Sequence, residues 1–539
     1  MRALLGLVVV LAGCSGEGPG YFPPADSGVH WATRLDTALL VTASGPVQGT
    51  HRDGVAAFLG IPYAAPPVGD LRWKRPFAPQ PWGEIRDATA FGPMCPQLAS
   101  DVPLPDLDRA QGEDCLTLNA WTAAAAPGEG RPVMVWIHGG GFTTGSGGLP
   151  SYDGAFLAKT GGVVVVTINY RLGPLGFMAH SLLTAETEHP SSGNYGLLDQ
   201  VTALGWVHTN ARELGGDPEN ITIFGESAGG YSVCLHLVSA VSGGYFHRAI
   251  IESGGCPRTM QDLTQSTARF PSAESVGARM ATALGCDGSA DVLGCMRAKP
   301  AADVLAGLAT CTSGIMCSNG ESWGPNVDGW ALHEPPGVTF ASGGETRVPL
   351  LGGTNADEGA LWRTAIVGGG ITTVAAYQAW VQTTFSTFAP LVLQSYPVNS
   401  DAEAAPAVER ILTEFVFVCP ARKYALRHAS VQPLTWLYSF SYVSPPAQAA
   451  GYGAFHASEI PYVFHNLPVA SGYGPSDDEL SRDIIGYWTR FAATGDPNGE
   501  GAALWPAFDA TEFYADLTLP ITMPAGYRAA LCEQFDVLF

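Results

Sequence analysis

Short runs of β-branched and aliphatic residues recur at 133–138, 163–170, 221–225, 249–253, 348–352 and 435–442, separated by segments of helical length. Runs such as VVVVTI (163–168) are apolar at almost every position, without alternation between two faces. A strand that is apolar on both sides needs cover on both sides, the situation of a parallel sheet between helix layers. The pattern therefore predicts an α/β protein with a large, mostly parallel mixed sheet and helices on both faces. Three stretches, 91–130, 300–345 and 443–475, lack either periodicity and predict long loop insertions at the rim of a deep site. No internal repeat or long linker interrupts the chain after residue 30.

Composition adds limits. Of 539 residues, 46% are hydrophobic and only 14% charged, against ~25% in an average soluble protein. With 66 Gly and 41 Pro the chain is loop-rich, yet its apolar content supports a large core. Forty-nine acidic residues against 27 basic give a formal charge of −22, a field that repels phosphate backbones and argues against nucleic-acid partners.

The chain begins with Arg2 and an apolar run over 3–12, too short to span a bilayer and of the length of a signal-peptide core. Leu11-Ala12-Gly13-Cys14 resembles the lipobox of bacterial lipoproteins. That resemblance implies removal of residues 1–13 and a lipidated Cys14 as mature N-terminus. Residues 14–34 would follow as a flexible tether, and the protein would lie in the cell envelope, lipid-anchored on the outer-membrane or periplasmic side, or be secreted. An ordinary cleaved signal with an incidental cysteine is the alternative. Ten further cysteines, an even number in an oxidising compartment, predict disulfides.

The most informative stretch is ITIFGESAGG, 221–230. A β-branched strand runs into Gly-x-Ser-x-Gly, and a helix-compatible segment over 231–240 follows, the context of a nucleophile elbow at Ser227. Gly225 and Gly229 would allow strand and helix to approach closely around a strained serine. A serine hydroxyl needs a base and an oxyanion site to attack near neutral pH. His138-Gly139-Gly140-Gly141-Phe142, directly after a predicted strand, resembles the glycine-rich oxyanion element of lipases and esterases. No Gly-Lys-Ser/Thr, HExxH, CxxC or EF-hand pattern is present, so the sequence supports neither a phosphate loop nor a metal site, and no cofactor is expected.

Together these segments resemble the type-B carboxylesterase/lipase family, the α/β-hydrolase group that includes the cholinesterases, over about 35–539. GEDCLTLNAW (112–121), VWIHGGGF (135–142), INYRLGPLGF (168–177), GNYGLLDQ (193–200), GTNADEG (353–359), FHASEIPYVF (455–464) and YWTRFAATGDPN (487–498) carry the likeness in one order. The resemblance implies an α/β-hydrolase fold, a small-molecule ester substrate and a Ser-His-Glu triad of Ser227, His456 and Glu358, with Asp357 as the alternative acid. It also implies oxyanion donors at Gly140, Gly141 and Ala228, and supporting polar groups at Glu226 and Ser253. His138 and His236 lie in strand or helix patterns and read as structural. The family's loops imply the pairs Cys95–Cys115, Cys286–Cys295 and Cys419–Cys532; Cys311 with Cys317, and Cys234 with Cys256, remain open. The 19 residues between Cys95 and Cys115 contain no aromatic, whereas cholinesterases carry their choline-binding Trp there. This departure disfavours choline esters, unless Trp323 or Tyr452 substitutes. A specialised hydrolase of a bulky ester, lactone or carbamate, or a non-catalytic binding or adhesion member of the family, are the alternative readings.

Overall fold

The computed structural model describes residues 31–99, 109–309 and 321–535. In chain order the strands are β1 (Leu39–Thr42), β2 (Gly45–Gln48), β3 (Thr50–Arg52), β4 (Val55–Pro62), β5 (Arg86–Asp87), β6 (Thr117–Thr122) and β7 (Arg131–Ile137). They continue as β8 (Val164–Ile168), β9 (Gly216–Glu226), β10 (Arg248–Glu252), β11 (Leu350–Asn355), β12 (Thr435–Phe440) and β13 (Ala515–Leu517). β1, β2 and β5 make a small sheet, and the other ten form one sheet in the order β13-β12-β11-β10-β9-β7-β8-β6-β4-β3. From β13 to β8 every neighbouring pair is parallel, and β6, β4 and β3 complete the sheet antiparallel.

All six predicted strands exist with shifted ends, and the stretches predicted as loops need correction: 300–345 and 443–475 carry the short helices Ala301–Gly307, Pro336–Ser342, Pro445–Ala449 and Ile460–Phe464, and 91–130 contains β6, a fully buried strand next to β8. Asn119 masks the strand pattern. Its side chain accepts from Gly60 N–H (2.9 Å) and donates to Thr167 Oγ1 (3.0 Å), so a polar residue sits satisfied inside the sheet. The same bond braces the register shift in β4 between Phe58 and Ile61, where Gly60 turns to φ 69°.

Apolar residues cover both faces of the sheet. One layer centres on Trp206, Phe177 and the helix Tyr195–Asn210, the other on Trp136, Phe464 and the helix Pro475–Thr494. Trp136 meets Phe224 edge-on at 4.9 Å and Phe464 at 5.1 Å. A third cluster, mostly from between β11 and β12 in sequence and joined by Phe535, packs the helices Val374–Phe385 and Ala404–Leu412 around Ile366, Val381 and Ile411. Its inner edge carries Trp362 and Phe417.

Disulfides join Cys95 to Cys115, Cys286 to Cys295, Cys419 to Cys532 and Cys234 to Cys256. The last ties the helix Ala228–Val238 to the segment after β10. Cys14, Cys311 and Cys317 lie outside the described residues. No helix among the described residues is long and apolar enough to cross a membrane.

Candidate active site

Ser227 stands between the end of β9 and the helix Ala228–Val238, with φ 57° and ψ −121°. Backbone of this kind costs on the order of 1–3 kcal/mol and persists only where its surroundings fix it. Here Ser227 N–H donates to Glu252 O (3.0 Å) and Ser227 O accepts from Tyr231 N–H (2.8 Å). The flanking glycines leave the needed space: a Cβ on Gly229 would lie 1.9 Å from Ile137 O, and one on Gly225 2.5 Å from the same oxygen. The helix thus begins three residues earlier than its sequence pattern predicts, because it starts from the turn itself. Ser227 is half-buried at the positive end of that helix.

The loop after β7 lies against this turn. A Cβ on Gly139 would meet Ser227 Cβ at 3.1 Å, and Gly140 and Gly141 adopt φ 101° and 61°. Gly140 O accepts from Thr143 and Thr144 N–H, closing the loop (both 3.0 Å). Ala228 is the first residue of its helix, where an N–H has no partner within the helix. His138 is buried, stacked on Tyr170 at 4.4 Å and bonded through Nδ1 to Gly139 O; burial lowers its pKa to about 4. His236 bridges Ser242 and Gln200, and burial lowers its pKa to about 3. Both are structural histidines.

His456 lies in the loop before the helix Ile460–Phe464, its ring between Trp362 (5.0 Å) and Phe417 (4.7 Å). Its Nδ1 lies 2.6 Å from Glu358 Oε2, and Glu358 Oε1 accepts from Asn355 N–H at 2.8 Å. A ring that donates through Nδ1 to a carboxylate keeps its lone pair on Nε2. That nitrogen makes no hydrogen bond; it sits 3.1 Å from Glu226 Oε1, near in distance but outside hydrogen-bond geometry. Asp357 is exposed and turned elsewhere: its Oδ2 accepts from Ala454 N–H at 3.0 Å. Glu358, not Asp357, is the carboxylate on the imidazole.

Behind the imidazole the parallel register lines up acidic side chains. Glu226 pairs with Glu252 across β9 and β10, Glu252 with Gly353 on β11, and Gly353 with Tyr438 on β12. A Cβ on Gly353 would fall 2.3 Å from the Tyr438 ring, which fills that place in the row. Burial, reinforced by Glu358 and Glu252, holds the Glu226 carboxyl well above the carboxylate range. Burial pushes Glu252 to about 8, against the opposing hydrogen bond from Trp488 Nε1 (2.7 Å). Glu459 is likewise raised by burial and by Glu226, Glu358 and Glu252. Ser253 follows Glu252 at φ 46°, buried, with no partner for its Oγ. Sequence reasoning singled out neither Asn355, Trp362 and Phe417 nor a role for Glu252 and Glu459. Glu459 lies inside the recognised motif FHASEIPYVF and Glu252 directly before Ser253, whereas Phe417 carries no local signal.

The geometry brings a strained serine, an imidazole with a free nitrogen and a carboxylate behind it to the carboxyl ends of β9 and β11. Among the described residues, no group of three or more His, Cys, Asp or Glu side chains could hold a metal ion. Residues 36–535 match the model of the carboxylesterase family. A fumonisin B1 esterase of Sphingopyxis macrogoltabida is 37% identical over 89% of this chain and 86% of the relative. A para-nitrobenzyl esterase of Bacillus subtilis is 37% identical over 87% of this chain and 92% of that one. A solved PNB esterase structure superposes with a TM-score of 0.78 at 35% identity, covering 93% of this chain and 99% of the other. Fold, site and relatives agree: the chain belongs to the carboxylesterase family and is a carboxylic ester hydrolase with the α/β-hydrolase fold.

Proposed function

We propose that this protein hydrolyses carboxylic esters through an acyl-enzyme on Ser227. Ser227 Oγ attacks the ester carbonyl carbon while His456 Nε2 takes the hydroxyl proton, and Glu358 holds the imidazole in the tautomer that can accept it. The N–H groups of Gly140, Gly141 and Ala228 receive the negative charge on the carbonyl oxygen. Collapse breaks the bond to the leaving alcohol, which takes the proton from His456. Water, activated by the same nitrogen, then attacks the acyl carbon, and the acid and free Ser227 emerge. The single observation that carries this reading is the 2.6 Å contact of Glu358 with His456 Nδ1, which leaves Nε2 free beside the elbow. Catalytic hydrogen bonds of this kind often tighten only when substrate is bound.

The test is a fluorophosphonate label with peptide mapping, together with Ser227→Ala. Labelling of Ser227, and a fall in kcat of about 10⁴–10⁶-fold in the variant, are expected. Near wild-type turnover by Ser227→Ala would overturn the assignment.

Neutral esters suit the entrance better than choline esters. A quaternary ammonium ion binds best over an open aromatic face. The described parts of the loop between Cys95 and Cys115 offer none, and Glu113 there is neutralised by Arg72 (Nε–Oε2 2.7 Å). Trp323 is packed into the core, and the Arg363 guanidinium already lies 5.1 Å over the ring of Tyr452. A neutral ester is therefore expected to show a higher kcat/KM than the thiocholine ester of the same acyl group, and the reverse order would refute this. Export with lipidation at Cys14 is proposed on the lipobox alone; membrane partition lost in Cys14→Ala, and a lipidated terminal peptide by mass spectrometry, test it.

A further inference from the structure

The acid and base of the proposed triad sit on two short connections, Glu358 at the start of the 3-10 turn Glu358–Trp362 and His456 before the helix Ile460–Phe464. Glu358 follows β11, and His456 lies in a turn in which the next residue, Ala457, has φ 71°. No ladder or helix fixes the spacing of these loops at the imidazole, so their register rests on bonds between them. Asp357 N–H donates to Ala454 O (2.9 Å), and Asp357 Oδ2 accepts from Ala454 N–H (3.0 Å). The inner bonds converge on one residue. Asn355, the fully buried last residue of β11, donates its backbone N–H to Glu358 Oε1 (2.8 Å). Its Nδ2 donates to Phe455 O (2.8 Å), just before His456, and to the Glu459 carboxyl, three residues after it. A carboxamide has two N–H bonds, and here each reaches one side of the base. Asn355 Oδ1 accepts nothing, so what the side chain donates alone orients it.

We infer that Asn355 is a positioning residue that sets the distance and orientation of Glu358 and His456 by bonding to both of their loops. This rests on the Ser227–His456–Glu358 reading above. Aspartate, of the same shape, has no N–H to donate to Phe455 O and faces Glu459 with another carboxyl. Alanine keeps the backbone bond to Glu358 and loses both bonds to the base loop. In either variant the imidazole is free to move relative to its carboxylate, and a displacement near 1 Å costs on the order of 10²-fold in rate.

The experiment compares Asn355→Ala, Asn355→Asp, Ser227→Ala, Glu358→Ala and Asn355→Ala/Glu358→Ala on p-nitrophenyl acetate, with thermal unfolding of each. For the Asn355 variants kcat is expected to fall about 10–100-fold with KM within about 3-fold and a cooperative unfolding transition retained. The acid limb of the kcat/KM profile is expected to move to lower pH, because a carboxylate held less closely stabilises an imidazolium less. In the Glu358→Ala background the Asn355→Ala factor is expected to shrink below about 3-fold, since both act through one imidazole. Unchanged kcat and pH profile in both Asn355 variants, or the full factor persisting without Glu358, would overturn the inference. If Asn355→Ala does not fold, Asn355→Asp is judged by the same measures. An active Ser227→Ala removes the catalytic reading and this inference with it, whereas an inactive Ser227→Ala beside unaffected Asn355 variants removes this inference alone.

Discussion

Replacing Gly229 by Ala sets two local effects against each other. Gly229 is the second residue of the helix Ala228–Val238, and its φ is not left-handed. On intrinsic propensity alone the change would stabilise that helix by about 1 kcal/mol. The new Cβ, however, would sit 1.9 Å from Ile137 O, 2.8 Å from Ile137 C and 3.0 Å from His138 C. All three are backbone atoms at the end of β7, so no side chain can swing aside. A carbon–oxygen contact needs about 3.3 Å, so helix and strand must separate by more than about 1 Å. Overpacking of this kind costs about 1–3 kcal/mol, which cancels or exceeds the propensity gain. The same movement separates Ser227, two residues before Gly229, from the 138–142 loop that follows Ile137. A loss in kcat on the order of 10²-fold is expected with it. Gly368 provides the control: it ends a helix, is exposed, and has nothing within 4 Å of where its Cβ would stand. Urea unfolding followed by tryptophan fluorescence, and kcat on p-nitrophenyl butyrate, measure both effects. Gly368→Ala is expected to keep the wild-type kcat and to be as stable as the wild type or more stable by up to about 1 kcal/mol. A Gly229→Ala protein as stable as the wild type, with kcat within about 2-fold, would refute the reasoning.

The two candidate acids separate in one assay: Glu358→Gln is expected to lower kcat on p-nitrophenyl acetate about 10³–10⁴-fold, and Asp357→Asn less than 10-fold, since it only holds Ala454. Comparable losses would mean the assignment of the acid is wrong. Among the disulfides, Cys419–Cys532 spans 113 residues and Cys286–Cys295 spans 9. Chain entropy gives roughly 5 and 3 kcal/mol, so Cys419→Ala/Cys532→Ala is expected to lower Tm more than Cys286→Ala/Cys295→Ala does. Glu252 titrates near 8 in the folded protein and near 4.5 unfolded. Between those values the folded chain binds the extra proton, so Glu252 contributes stability that is present below about 4.5 and lost as pH rises through about 8. Glu252→Gln removes the titration and keeps an acceptor for Trp488, so its advantage over the wild type in urea unfolding is expected to grow from pH 5 to pH 8; a constant difference would contradict it.

What could be read from the sequence follows from how locally each feature is encoded. The elbow was legible because one ten-residue stretch holds strand, turn glycines and helix start, and the glycines themselves mark the close approach, although the atom they approach, Ile137 O, lies on β7. β8 was legible because it is apolar on both faces. β6 was not, because Asn119 breaks its pattern and is made acceptable by distant partners, among them Gly60 and Thr167, 59 and 48 residues away. The ring of Phe417 on His456 likewise depends on a helical layer whose own sequence points nowhere. Glu358 over Asp357 followed from the family motif and not from any local pattern; its physical reason is the chain direction after β11, which turns one carboxylate inward and leaves its neighbour exposed on Ala454.

The buried glutamates explain why that direction matters. Four of them, Glu226, Glu252, Glu358 and Glu459, are buried and close enough to act on one another's ionisation. A formal charge of −22 counts all four as anions. Glu226, Glu252 and Glu459 are instead pushed toward their protonated forms, so the charge near the site is smaller than the formula implies. A buried carboxylate is held in place where donors converge on it. Glu358 accepts from a backbone N–H and from His456, Glu252 accepts from Trp488 through one oxygen while the other has no partner, and Glu226 Oε1 has none. The donors are therefore distributed unequally, and they favour the one glutamate that touches Nδ1. That allocation depends on the peptide N–H of Asn355, a group that neither Asn355→Ala nor Asn355→Asp removes. Those two changes should thus disturb the placement of His456 far more than that of the Glu358 carboxylate.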